Sequence, residues 1–156
     1  MATKLIVASN RGPVGWQHAE DGSWTPKRGA GGLIVALGGA LQERPGVWVS
    51  VALDEGDQEL AAAHPDQSFE ADTGQGQFTL RLVDAGADYD RYYNEVANRL
   101  LWFTLHQLWS DPYEPTGVGW PEPFADYLAV NTRIAEAVID EAEASTPRSI
   151  CRTITC

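Results

Sequence analysis

The chain has 156 residues, 44% of them hydrophobic and 10% aromatic, which suits a single domain with a sizeable buried core. Its 22 acidic residues outnumber 11 basic ones, and the formal charge of −11 argues against sequence-independent binding to nucleic acid and against adhesion to anionic lipid. An anionic ligand would need locally placed cations, and no apolar run approaches the roughly 20 residues that cross a bilayer.

The opening MATKLIVASN carries one Lys, but its apolar run is too short for a signal peptide and ends in a polar turn, so a cytoplasmic protein is expected. Leu-Ile-Val within Lys4 to Ala8 predicts a buried parallel strand. From Gly15 to Arg28, with Asp21-Gly22 between Trp16 and Trp24, a hairpin is expected. Gly29-Ala30-Gly31-Gly32 then leads into a helix whose apolar positions are Leu33, Ile34, Leu37 and Leu41, and Pro45-Gly46 stops it. Val47 to Leu53 is the next buried strand, and Phe78 to Val83 follows a Gly-Gln-Gly-Gln turn as another. Tyr89 to Trp109 reads as a helix with Tyr92, Val96, Leu100, Phe103 and Leu105 on a wide buried face. The Pro- and Gly-rich stretch from Asp111 to Pro123 is a connecting loop. A last helix runs from about Glu122 to Ala144, with Phe124, Leu128, Ile134, Val138 and Ile139 expected inward and acids outward. Strands alternating with helices, without an internal repeat, give an α/β fold with a mostly parallel sheet whose ligands bind beyond the carboxyl ends of the strands.

Three features near those ends can carry chemistry. Arg11 follows the first strand, where a guanidinium can grip a phosphate bidentately; from the residue alone, a surface Arg paired with one of the many acids is the favoured reading. Gly31 and Gly32 precede a helix whose N–H groups and dipole could face a diphosphate with no Cβ in the way, although a capped flexible loop would look the same. Tyr93 and Trp102 lie nine residues apart. On a regular helix that is two and a half turns, so the two would face nearly opposite sides and read as core aromatics. A helix starting late near Tyr93 would free its direction, with Asn94 helping as a cap. Cys151 and Cys156 fit no zinc spacing, and His18, His64 and His106 are scattered surface or boundary residues. Neither a metal nor any other cofactor is expected.

Taken together, Ser9-Asn10-Arg11, Gly31-Gly32-Leu33, Tyr92-Tyr93-Asn94, Asn98, Leu101-Trp102, His106 and Tyr127-Leu128-Ala129-Val130-Asn131 resemble the trehalose-6-phosphate synthases, from about Leu5 to about Glu143. That resemblance implies a retaining glycosyltransferase of the GT-B type, with two Rossmann-like domains and the active site between them. Residues 1–145 would be a partial N-terminal, acceptor-side domain. The expected substrates are a nucleotide-glucose donor (UDP-, GDP- or ADP-glucose) and glucose 6-phosphate, and homo-oligomerisation is left open. In the resembled family the matching Arg contacts the acceptor phosphate, which reverses the odds at Arg11; Tyr93 and Trp102 would serve the acceptor sugar phosphate, and Gly31 and Gly32 the donor diphosphate. No residue is assigned a catalytic role. Because the donor's nucleotide is held mostly by the second domain, the chain by itself is expected to be inactive. Two departures stand out: Phe103 replaces the usual Pro after the Trp, and Val51 stands where many members have a Trp lining the sugar site. Val51 motivates an alternative, a pseudo-glycosyltransferase that couples a cyclitol; a non-catalytic sugar-phosphate-binding fragment is a further one.

Residues 146–156 change character, with no acid and both cysteines, where the family has a buried strand like Tyr-Leu-Gln-Asp-Tyr-His-Leu. Ser149 to Cys156 can be written AGT ATC TGC AGG ACT ATC ACC TGT. From its third base this reads TAT CTG CAG GAC TAT CAC CTG, which encodes that strand. The expectation is an out-of-frame tail, a sheet lacking an inner strand, and a chain that associates through the exposed edge.

Overall fold

Strand β1 (Leu5–Ser9) lies inside the sheet because Ile6, Val7 and Ala8 carry no polar group and can be buried on both faces. The computed structural model describes residues 4–28, 32–42, 44, 46–73, 76–108, 121–144 and 150–153. These fall into two compact units, Met1–Asp84 with Ile134–Cys156, and Ala85–Arg133.

In the first unit β1 is followed by the antiparallel pair β2 (Val14–His18) and β3 (Trp24–Arg28), whose turn places Gly22 at φ +79°, a left-handed conformation that glycine adopts without strain. Helix α1 (Gly32–Gln42), β4 (Gly46–Val51), α2 (Glu55–Ala63), β5 (Phe69–Asp72) and β6 (Gln77–Val83) follow. The main sheet has five strands in the order β5-β6-β4-β1-β7, all parallel except the β5–β6 pair. Leu5 pairs with Gly46 and Ser9 with Ser50, while Val47 pairs with Thr79 and Val51 with Val83. Val7, Trp48, Phe78, Leu80 and Ile34 join one hydrophobic cluster with Trp16 of the hairpin.

Strand β7 (Ile150–Thr153) corrects the expectation of a sheet lacking an inner strand. It runs parallel to β1, with Leu5 opposite Ile150 and Ala8 opposite Thr153, so β1 has a neighbour on each side. The β-branched Ile150 and Thr153 suit an extended strand whatever the origin of the segment.

In the second unit a short 3₁₀ turn (Gly86–Asp88) leads into a π-helix (Arg91–Trp102) and the single turn α3 (Phe103–Leu105), which ends where Gln107 takes φ +58°. Of the loop expected from Asp111 to Pro123, residues 111–120 lie outside the described residues, as do Trp109 and Ser110, while Pro121 to Pro123 belong to a helix. Helix α4 (Pro121–Ala144) begins on a proline, which suits a first turn because no helical partner for its N–H is lost there. Its buried positions include the apolar Val130, Ile134, Ala137 and Val138 and the acidic Glu141. Phe124, Leu128 and Ile139, expected inward, are about half exposed at 47%, 51% and 54%. Leu105 is likewise exposed rather than buried.

Candidate functional site

The Ser9-Asn10-Arg11 turn is fixed from below. The indole Nε1 of fully buried Trp48 donates to Ser9 Oγ at 2.8 Å, and that hydroxyl donates to the Arg11 carbonyl at 2.7 Å. The Val51 N–H adds a bond to the Asn10 carbonyl at 3.3 Å. A Cβ on Gly12 would lie 2.7 Å from Ser50 Oγ, so the chain leaves the turn through a glycine. Asn10 is buried and Arg11 exposed, which presents the guanidinium at the carboxyl end of β1. This end adjoins the place where the sheet order reverses, since β4 lies on one side of β1 and β7 on the other. Open α/β sheets take their ligands at such a point.

Gly32 is the first residue of α1; Gly31, with Gly29 and Ala30, lies outside the described residues. Val51, read as a substitute for a sugar-lining Trp, is buried at the end of β4 in register with Val83 and belongs to the core.

Tyr93 and Trp102 both belong to the π-helix of the second unit. Bonding from i to i+5 widens the turn from 3.6 residues to roughly 4.4, so nine residues make about two turns. The expectation of nearly opposite faces is therefore corrected: in this winding the two positions come round to the same face. Asn94 does not cap the helix but donates from Nδ2 to Asp90 Oδ1 at 2.7 Å. Tyr93 is half-buried and stacks on Tyr89, with centroids 5.6 Å apart and planes at 10°. Tyr89 also meets buried Tyr92 at 5.7 Å, and Tyr92 stacks on Tyr127 of α4 at 5.6 Å. Burial, with Tyr89, Tyr127 and Tyr93 nearby, pushes the Tyr92 phenol up to about 12. At the other end of the helix Trp102, 45% exposed, stacks on His106 with centroids 4.2 Å apart and meets Phe103 edge-on at 5.0 Å. Arg91 pairs with Asp126 at 2.5 Å, and Arg133 donates to the Ala85 carbonyl and pairs with Asp88 at 2.7 Å, so ion pairs clamp this unit together.

The first unit thus presents an exposed guanidinium, a group that can hold an anion, and the second by itself presents ring faces, a phenol and an indole N–H. Tyr89 and His106 were not singled out as site residues from sequence, although each sits four residues from a candidate ring, the spacing at which helical side chains meet. Among the described residues no group of three or more His, Cys, Asp or Glu could hold a metal ion, and no helix is long and apolar enough to cross a membrane.

Residues 3–147 match the model of glycosyltransferase family 20. The chain is 32% identical over 136 residues to the trehalose-6-phosphate synthase of Mycolicibacterium gilvum, and 33% identical over 137 residues to that of Mycobacterium tuberculosis H37Rv. Each match covers 85% of this chain and 25% of the relative, so the chain spans about a quarter of the length of these curated relatives. Among solved structures it is similar to an α,α-trehalose-phosphate synthase (UDP-forming) from Burkholderia xenovorans in complex with glucose 6-phosphate, with a TM-score of 0.55 and 23% identity. That likeness covers 97% of this chain and 27% of the other, and it shows the shared α/β fold.

Proposed function

Because the chain belongs to glycosyltransferase family 20, we propose that it supplies the acceptor-side portion of an α,α-trehalose-phosphate synthase, which transfers glucose with retention from a nucleotide-glucose donor to glucose 6-phosphate. The observation that carries this reading is the braced Ser9-Asn10-Arg11 turn, which holds a guanidinium beside the reversal of the sheet order in a chain of this family. Arg11 would grip the acceptor phosphate, Tyr93 and Trp102 would meet its sugar, and Gly31 and Gly32 would face the donor diphosphate. Such a reaction rests on holding two anionic substrates together and stabilising the leaving charge. The remainder of the relatives' length would hold the donor's nucleotide, so these 156 residues alone should form no trehalose 6-phosphate. Cytoplasm is the expected compartment.

Calorimetric titration of the chain with glucose 6-phosphate tests the acceptor site. Arg11→Ala removes a charge-assisted contact of about 1.5–3 kcal/mol, so binding should weaken at least tenfold. Equal affinity of the variant would remove Arg11 from the site, and trehalose 6-phosphate formed by the chain with a nucleotide-glucose would overturn the expected inactivity.

For residues 146–156 we propose an out-of-frame origin, supported by a family match that ends at residue 147. Sequencing the gene decides the matter: a Ser149 codon not ending in T, or an Ile150 codon not ending in C, removes the shifted reading.

A further inference from the structure

Resting on the assignment of Tyr93 and Trp102 to the sugar phosphate, we infer that Tyr89 and His106 are positioning residues that hold these two rings from the turns on either side of the π-helix. Tyr89 lies four residues before Tyr93 and His106 four residues after Trp102, so each brace sits outside the pair. The winding between them brings Tyr93 and Trp102 to one face, but it does not set their side-chain angles. An indole that is 45% exposed would otherwise exchange rotamers in solvent, and a ligand would bear the entropy of ordering it.

Each brace is itself anchored. His106 Nδ1 lies 2.7 Å from the Trp102 carbonyl oxygen, and since a carbonyl only accepts, Nδ1 carries the proton and donates it. The imidazole is thereby tied to the backbone of the residue whose ring it covers, with planes 23° apart. Tyr89 leans at a tilt on buried Tyr92, which Tyr127 of α4 covers in turn, so the position of Tyr93 is referred to the interior of its unit through a run of packed phenols. A stacked aromatic pair contributes beyond its buried area, whereas an aliphatic replacement keeps bulk but loses the plane that sets ring orientation.

Glucose 6-phosphate binding to the chain, measured by calorimetry beside thermal melts, tests the inference with two pairs of variants. Tyr89→Leu and His106→Ala should weaken binding about five- to tenfold, the size expected from losing one stacked pair. Tyr89→Phe and His106→Phe, which retain a flat ring, should stay within about twofold of the wild type. A role limited to stability would lower melting temperatures without this aromatic rescue of affinity. If the wild type binds, binding is lost in Tyr93→Ala and Trp102→Ala, and Tyr89→Leu and His106→Ala bind like the wild type, the assignment stands and the positioning role is overturned. Equal weakening by aromatic and non-aromatic variants overturns it as well. If the wild type does not bind, or Tyr93→Ala and Trp102→Ala bind normally, the underlying assignment fails and the inference falls with it. Should Tyr89→Leu not fold, the exposed His106 carries the test alone.

Discussion

Tyr92 joins a buried phenol to a change of charge that the fold resists. Its neutral form is favoured by burial and by the neighbouring Tyr89, Tyr127 and Tyr93, which raise the folded value from 10.0 to about 12. The folded state then holds a proton that the unfolded chain has already released, so the stabilisation is present below the ordinary tyrosine value and is lost as pH rises towards about 12. Stability of the wild type should fall across that alkaline interval more steeply than that of Tyr92→Phe, and parallel curves in denaturant titrations at several pH values would remove Tyr92 as the cause. Arg81 poses a different problem. Its buried guanidinium donates to the Asp66 carbonyl at 2.9 Å and to Asp140 at 2.8 Å, and lies 3.5 Å from Glu141, which also pairs with Lys4 at 3.0 Å. Arg81→Leu strands buried Glu141 with less compensation, so a loss of about 3 kcal/mol is expected in chemical denaturation. A loss below about 1 kcal/mol would mean that the remaining Lys4 contact suffices.

Between elements, the β2–β3 hairpin is held to α2 by backbone fit and one carboxylate. Asp57 accepts from the N–H groups of Trp16 at 3.0 Å, Leu53 at 3.1 Å and Asp54 at 3.2 Å, tying β2 to the start of α2. Burial pushes the Asp57 carboxyl up, and these three donors oppose it. A Cβ on Gly56 would come within 2.3 Å of the Trp16 carbonyl oxygen, so Gly56→Ala must push the hairpin away. It should cost about 1–3 kcal/mol, read as a lower denaturation midpoint, and an unchanged midpoint would show that the hairpin can shift freely. Much of this arrangement is legible in the sequence. Apolar runs reveal β1 and β4, the alternating, β-rich Phe78 to Val83 reveals β6, and Asp21-Gly22 between two tryptophans reveals the hairpin. Helix α2 and strand β5 are not legible, because EGDQELAAA offers little apolar stripe and FEAD is four residues with two acids. On α4, apolar residues fall on two overlapping stripes; Ile134 and Val138 are buried as expected, but periodicity alone could not set Val130 apart from Phe124, Leu128 and Ile139. At the candidate site Arg11 stands out through its motif, whereas its brace does not, since Ser9 and Trp48 are 39 residues apart and meet only through strand register. The same holds for the π-helix: buried Tyr92 and Val96, four residues apart, fit either winding.

At the scale of the molecule, β7 decides how the sheet ends. Removing residues 148–156 would strip β1 of its partner on that side and leave a row of unpaired N–H and C=O groups. The shortened chain should melt at a lower temperature and scatter more light than the 156-residue chain, and identical behaviour would show that β7 contributes nothing to closure. The pairing of Leu5 with Ile150 also has a temporal side. During synthesis β1 leaves the ribosome before the other strands of this sheet, yet its flank facing β7 stays open until Ile150 has been made. Closing so long a loop costs more entropy than pairing β1 with the nearby β4, so β7 is placed to join last, and the nascent chain must keep a hydrophobic strand half-paired in the meantime.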